Sequence, residues 1–439
     1  MPALLLLLLA CTCSSRKPDA PDVVLILVDT LRADALGYAG NPRPATPQID
    51  ALVAAEATWF SRAYACSSWT LSSTTSLLTG TYPWTHGVVR AADNPDQFGR
   101  LGDALPSVAT TLGQRGYRTG AFINNAFLAP EFGLNQGFGT YDYQGADPRD
   151  HRSAQATVDA ALAWIDAAPT EPAFLLVHLM EPHFDYAPPA THAGMFSAGL
   201  PHALPGPPFG DQQMVRWLNR IDVPSVSDQA YVRAVYDEEV RVVDDAVAAL
   251  VAGLRARGRW ADATAVFTAD HGEEFWDYGG FEHGHTTRSA VTRVPLWVKA
   301  PGVPAGRNDS VVDHVAVHAL LTTGGGPVRA LAEQGTLDPD RVAFTQDILY
   351  GPQQVGAVDR DRRLLVHLDT GTAELWGLDA EGREVEALHL DPARRAEGQG
   401  LVDALTAQRG GWAPTPARNP RLVEDAETFE KLRELGYLE

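Results

Sequence analysis

Four polar residues stand at or just beyond the ends of apolar runs: Asp29 after Val23–Val28, Asn124 after Gly120–Ile123, His178 after Phe174–Val177, and Asp270 behind Ala263–Thr268. In open α/β sheets ligands bind outside the carboxyl ends of the strands, so these residues are candidates for one shared site. Other groups carry the side chains that ester chemistry needs. Ser67–Gly80 reads SSWTLSSTTSLLTG, a run of hydroxyls in which Thr70 precedes a helical segment. Asp270-His271 sets an oxygen and a nitrogen side by side, and His178…His183 and His283-Gly284-His285 add imidazoles. Thr70 has two readings. It caps the helix, or it attacks an ester; a hydroxyl is a poor nucleophile at its own pKa unless a divalent cation favours the alkoxide. The free N–H groups of a helix start also favour a bound oxyanion. Taken singly, an Asp-His pair at a strand end is usually structural and a histidine near a turn is usually plain surface.

The elements that must position these residues follow from periodicity. Val23–Val28, Gly120–Ile123, Phe174–Val177, Ala263–Thr268 and Leu296–Val298 are short, β-branched and apolar, as strands buried on both faces are. Between them lie helical patterns at Val158–Ala167 and, with apolar residues every three to four positions, from Val232 through Val235, Val240, Val243, Val247 and Leu250 to Leu254. Arg255 and Arg257 close that helix and Gly258 offers its C-cap. Strands alternating with helices predict an α/β fold, a doubly wound, mostly parallel sheet with helices on both faces. From about Arg341 the pattern changes to short strands over Ala357–Asp369 and Thr372–Leu378 and helices over Leu401–Gln408 and Ala426–Leu435, a smaller C-terminal α+β subdomain. The expected division is 1–21 as export signal and linker, 22–340 as catalytic domain and 341–439 as the C-terminal subdomain.

A net charge of −20 with no Lys/Arg-rich face excludes nucleic acid as a partner. The acidity is mute about substrate, since a metal or local dipole can reverse the field at a site. Residues Ala3–Ala10 are too short to span a bilayer but fit the apolar core of a secretory signal peptide. Leu8-Leu9-Ala10-Cys11 looks like a lipobox, so the expectation is an exported, periplasmic or cell-surface lipoprotein, lipidated on Cys11 and touching the membrane through that anchor alone. Cys66 is then the only cysteine of the mature fold, so disulfide stapling is not how this domain is held together.

The order of several segments resembles the sulfatases and their relatives in the alkaline phosphatase superfamily, from Pro21 to the C-terminus. These segments are PDVVLILVDTLRADALG, TPQIDALVAAEATWFSRAYA, LLTGTYPWTHGV, FTADHGEEF, RVPLWVKAPG, AELWGLDAEGRE and LRELGYLE. The resemblance implies a divalent ion held by Asp29, Thr70, Asp270 and His271, a mixed O/N set that favours zinc or manganese, with calcium as the sulfatase alternative. It departs at the nucleophile. Sulfatases carry C-x-P-S-R there, with the Cys oxidised to formylglycine; counting back from Leu77-Leu78-Thr79-Gly80, the Cys position is Thr70, the Pro position Ser72 and the Arg position Thr74. Cys66 lies four residues too early. Thr30 also replaces a second metal-loop Asp.

By the same resemblance Thr70, His183 and His285 are the expected catalytic residues, and His183, His283, His285, Asn124 and Arg32 the expected contacts to substrate. The histidines either grip the transferred group or bind a second metal, and Arg32 either orients substrate or pairs with Asp34. The implied activity is hydrolysis of a sulfate or phosphate ester of a small molecule, glycan or lipid, through a covalent threonyl intermediate. A phosphoryl or phosphodiester transferase is the alternative within the chemistry. The alternative outside it is a non-catalytic sulfatase-like binding lipoprotein, motivated by the absent Cys, Pro and Arg.

Overall fold

The computed structural model describes residues 20–91, 94, 97–144, 152–322, 337–338, 340–410 and 421–422. The expected export signal, Cys11 and the helix over Ala426–Leu435 lie outside the described residues. The strand β1 (Val23–Val28) is buried at every position. Burying each of its Val, Leu and Ile side chains contributes about 1.5–3 kcal/mol, more than the ~1 kcal/mol net of a ladder hydrogen bond. The strand therefore belongs where both faces are covered. It lies inside an eight-stranded sheet with β2 (Thr58–Tyr64), β3 (Arg118–Ile123), β4 (Thr140–Tyr143), β5 (Ala173–Leu179), β6 (Thr264–Ala269), β7 (Leu296–Lys299) and β8 (Gly306–Asp313), ordered β8-β2-β7-β6-β1-β5-β3-β4. Neighbours run parallel except β7, which is antiparallel to both β6 and β2. The expected mixed α/β fold with a mostly parallel sheet is thus present. Strand β8 was not legible as a strand: it opens on exposed Gly306 and Arg307, sits at the sheet edge and breaks register between Asn308 and Val311.

The longer helices among the described residues are α1 (Pro47–Glu56), α2 (Thr70–Thr79), α3 (Ala154–Asp166), α4 (Asp211–Leu218), α5 (Val226–Ala256), α6 (His314–Thr322) and α7 (Gln399–Arg409). The apolar stripe of α5 from Val232 to Leu254 is buried as its spacing predicts, and Gly258, at φ 67°, turns the chain beyond its end. Five of its acids, Asp228, Asp237, Glu238, Glu239 and Asp244, are buried as well. Glu238 accepts backbone N–H groups from Gly194, Phe196 and Ser197, Glu239 from Ala187 and Asp228 from Ala203. These carboxylates fasten the long loop between β5 and α4. Asp244 likewise accepts from Gln48 and Ile49 at the start of α1.

Every residue of α2 is buried although most are Ser or Thr. The hydroxyls of Thr75, Ser76 and Thr79 turn back on the carbonyls of Leu71, Ser72 and Thr75, four residues earlier, which lets polar side chains enter a dry interior. A second, antiparallel sheet follows: β9 (Ala343–Gln346), β10 (Gln354–Val358), β11 (Arg362–His367), β12 (Ala373–Leu378) and β13 (Glu384–Ala387), in that order. The reading of Ala357–Asp369 as strand divides here, because Asp359 accepts from the Asp361 and Arg362 amides and makes a turn. Helix α7 packs Leu401 and Leu405 into a small core with Val355, Leu364 and Leu375. Cys66 belongs to that core too.

Candidate active site

The ends of β1 and β6 lie side by side, and the backbone ties them together. The Asp29 amide donates to the Leu179 carbonyl, the Thr30 amide to Asp270 Oδ1 at 3.1 Å, and the His271 amide to the same oxygen at 2.8 Å. Thr30 takes a positive φ of 51°, which turns the chain sharply after Asp29. Helix α2 arrives with Thr70 as its first residue, and no side chain caps its N-terminal N–H groups. Thr70 Oγ1 lies 3.2 Å from His271 Nε2. Nε2 is 3.3 Å from Asp270 Oδ2 and 4.0 Å from Asp29 Oδ1. All four residues are buried.

Hydrogen bonding decides what this cluster lacks. His271 Nδ1 is 3.0 Å from the Gly272 carbonyl, which accepts only, so Nδ1 carries the proton and the Nε2 lone pair faces the cluster. Asp29 Oδ2 is already served: Asn125 Nδ2 donates to it at 2.6 Å and His178 Nε2 lies 3.3 Å away. Asp29 Oδ1 and Asp270 Oδ2 are buried without a partner. One ligand atom each from Asp29, Asp270 and His271 lie within 4.8 Å of one another. Burial and the Asp29 charge push the Asp270 carboxyl well above the usual carboxylate range. Burial would also raise Asp29, yet the nearby His178, with His183 and His271, holds it below that range. Two charged carboxylates at such a distance repel by about 4 kcal/mol even at an effective dielectric of 20, so a cation stabilises the group most simply. The residues present therefore fit a divalent ion, with two carboxylate oxygens, one imidazole nitrogen and the Thr70 hydroxyl as its holders.

A second layer of imidazoles covers this cluster. The rings of His271 and His283 are 4.3 Å apart and those of His183 and His283 5.4 Å. Glu273 orients His283, with Oε1 3.0 Å from its Nδ1, and accepts the Tyr186 hydroxyl on Oε2. Burial raises the Glu273 carboxyl to about 8, against the opposing charge of His183. Burial and the charge of His183 hold His283 well below the ordinary imidazole range. Tyr186 ties the base of the loop between β5 and α4 to the site.

Three expected contacts to substrate lie elsewhere. Asn124 donates to Thr157 Oγ1 and the His178 carbonyl and accepts from Arg152, so its amide is fully used between β3, β5 and α3. Its neighbour Asn125 reaches Asp29 instead. Arg32 follows the pairing expected with Asp34: its guanidinium also meets Asp277 at 2.7 Å and the Glu273 carbonyl, which leaves no free edge for an anion. His285 turns its Nε2 to Glu274 Oε2 at 2.9 Å and its Nδ1 to the His283 carbonyl, bracing the hairpin Glu274–Glu282 and not Thr70. The reading of the sequence singled out neither Asn125 nor Glu273. The signal for each was adjacency, Asn125 beside a strand-end Asn and Glu273 inside HGEEF. Cys66 faces Tyr82 and Phe344 in the second core, and burial raises its thiol well above the ordinary range, so it is unsuited to attack.

The sulfatase family model matches residues 21–322. Among characterised proteins, the chain is 28% identical over 327 residues to an ulvan-active sulfatase of Formosa agariphila, covering 65% of this chain and 57% of that protein. It is 23% identical over 361 residues to an arylsulfatase of Clostridium perfringens, covering 67% and 72%. The chain thus spans little more than half of the Formosa relative. Among solved structures, a protein in complex with its substrate D-glucosamine-2-N,6-O-disulfate superposes with a TM-score of 0.74 at 16% identity, covering 91% of this chain and 99% of that one. A phosphonate monoester hydrolase from Silicibacter pomeroyi gives 0.68 at 20% identity, with 89% and 95% covered.

Proposed function

Because the chain belongs to the sulfatase family, we propose that it is a metal-dependent hydrolase of sulfate or phosphate esters whose nucleophile is the Thr70 hydroxyl. One observation carries this reading: Thr70 Oγ1, His271 Nε2 and two unpartnered carboxylate oxygens, from Asp29 and Asp270, converge at the uncapped start of α2. Asp29, Asp270, His271 and Thr70 would hold a divalent ion, zinc or manganese before calcium, which would supply positive charge favouring loss of the Thr70 proton and polarising the ester. Thr70 Oγ1 releases its proton to solvent and forms a bond to sulfur or phosphorus as the bond to the alcohol oxygen breaks. The free N–H groups at the start of α2 and the imidazoles of His183 and His283 hold the non-bridging oxygens. His183, whose Nδ1 lies 2.7 Å from the Phe184 carbonyl, is the candidate donor of a proton to the departing alcohol. Water then attacks the threonyl ester, breaks its bond to Oγ1 and restores the hydroxyl.

The names of the relatives, one active on ulvan and one bound to a sulfated glucosamine, support a glycan or small sugar ester as substrate. The fastened loop between β5 and α4 covers the site and selects the leaving group. Export and lipidation at Cys11 complete the reading, and Cys11→Ala releasing the protein from the membrane fraction checks them.

The deciding test is hydrolysis of matched p-nitrophenyl sulfate, phosphate and phosphodiester substrates after chelation and metal restoration. Activity that needs metal and is lost in Thr70→Ala is the expected result. Sulfate hydrolysis surviving in that variant refutes the nucleophile, and a protein that binds no divalent ion refutes the enzyme.

A further inference from the structure

The turn that delivers Thr70 is held from the second sheet. As β9 ends, the Gln346 amide donates to the Cys66 carbonyl at 2.8 Å. The hydroxyls of Ser67 and Ser68 donate to the Asp347 carbonyl at 3.1 and 3.3 Å. The Trp69 indole N–H donates to Asp347 Oδ2 at 2.7 Å. Four consecutive residues before the nucleophile are thus gripped by two residues from far along the chain. Asp347 is 3% exposed and takes a φ of 76°, a backbone state that disfavours most side chains and persists only where surroundings impose it. The grip continues to the histidine loop: the Gly284 amide donates to the Ser68 carbonyl, and the Tyr350 amide to the Gly284 carbonyl.

We propose that Asp347 is a positioning residue for catalysis, fixing Thr70 through Trp69. Trp69 is wedged between Phe98 and Phe127, with ring centroids 5.8 and 5.3 Å away, so its indole has one orientation that meets the carboxylate. Locking the ring locks the residue that opens α2. Misplacement of a reacting atom by an ångström costs on the order of 10²-fold in rate. The C-terminal subdomain is on this view part of the catalytic apparatus without touching substrate.

This inference rests on the proposed role of Thr70, and its test keeps the two apart. In the full chain, Asp347→Ala is expected to lower kcat per folded enzyme by about 10–100-fold, with KM and bound divalent ion unchanged. Asp347→Asn, which keeps an acceptor for the indole, is expected to restore most of the rate. Trp69→Phe is expected to match Asp347→Ala, and the double variant to be no slower than either alone. If Asp347→Ala lowers Tm but leaves kcat intact while Thr70→Ala is inactive, the positioning role is overturned and the Thr70 reading stands. Additive losses in the double variant overturn the route through Trp69. If Asp347→Ala does not fold, the Asp347→Asn and Trp69→Phe rates decide: slow Asn and normal Phe overturn the inference. Full activity in Thr70→Ala removes the premise itself.

Discussion

Two charge clusters grow from the same pair of chain segments, one wholly buried and the other reaching the surface at Asp34 and Asp277, and they differ in closure. Asp29, Asp270 and His271 form one; a few residues further along each segment, Arg32, Asp34 and Asp277 form the other. In the second, each carboxylate faces a guanidinium: Arg32 meets Asp34 and Asp277, each at 2.7 Å, and Arg233 meets Asp34 at 3.2 Å. In the first, neither carboxylate meets a guanidinium: one oxygen of each is held by amide donors, and the other is left without a partner. Both clusters pair two aspartates with a basic side chain, and their places along the segments do not separate them. Partnership does: a closed cluster holds loops together, whereas lone pairs that converge on one point call for a cation.

The comparison breaks most visibly at Asp270. Asp270→Asn is expected to abolish uptake of a divalent ion, read by metal analysis after dialysis, and to lower ester hydrolysis by about 10³-fold or more. A variant that keeps its ion would place the cation elsewhere. Asn125→Ala removes the hydrogen bond that orients Asp29 without touching a ligand atom. A drop of about 10–100-fold in metal affinity is expected, measured by competition with a chelator. Unchanged affinity would mean that Asp29 is oriented by other means. Arg32→Met opens the closed cluster; thermal unfolding should register a cost of about 3–5 kcal/mol, while the affinity for the divalent ion is preserved. Lost affinity at unchanged stability would erase the distinction between the clusters.

The smallest effect on stability is a titration. Burial raises the Asp347 carboxyl from 3.8 to about 7, against the hydrogen bond from Trp69. A group raised in the folded state contributes stability that is complete below its unfolded pKa and is lost as pH rises through the folded value. Asp347→Asn removes that loss, so the variant should gain on the wild type between pH 5 and pH 8 by about 2–3 kcal/mol, read as a rise in relative Tm. An equal difference at both pH values would show that the carboxyl does not titrate there.

Much of the sheet was legible because its central strands are uninterrupted apolar runs, and Asp29 and Asp270 were legible because they stand where such runs stop. The failures have local causes. Asn124 and Asn125 both end β3, but successive side chains of extended backbone point to opposite sides, and only Asn125 turns toward Asp29. His283 and His285 share a motif, yet their partners part them: Glu273 holds one by the site and Glu274 draws the other into the hairpin. Asp347 was illegible because nothing near Thr70 in the chain announces a partner from the second sheet. The apolar stripe of α5 says nothing of its acids, and the burial of Asp228, Glu238 and Glu239 depends on a loop whose course no periodicity reveals.

That loop is fastened in a particular way. Three carboxylates of α5, those of Asp228, Glu238 and Glu239, take hold of its backbone amides, at Ala187, Gly194, Phe196, Ser197 and Ala203, while Asp245 takes the His192 imidazole. Any residue except proline presents an amide, so the anchors make little demand on side-chain identity. The loop is in effect a cassette: its letters can drift and its recognition surface can be rewritten while its path stays pinned to the helix beneath. A lineage that kept α5 would be free to explore new leaving groups without rebuilding the fold.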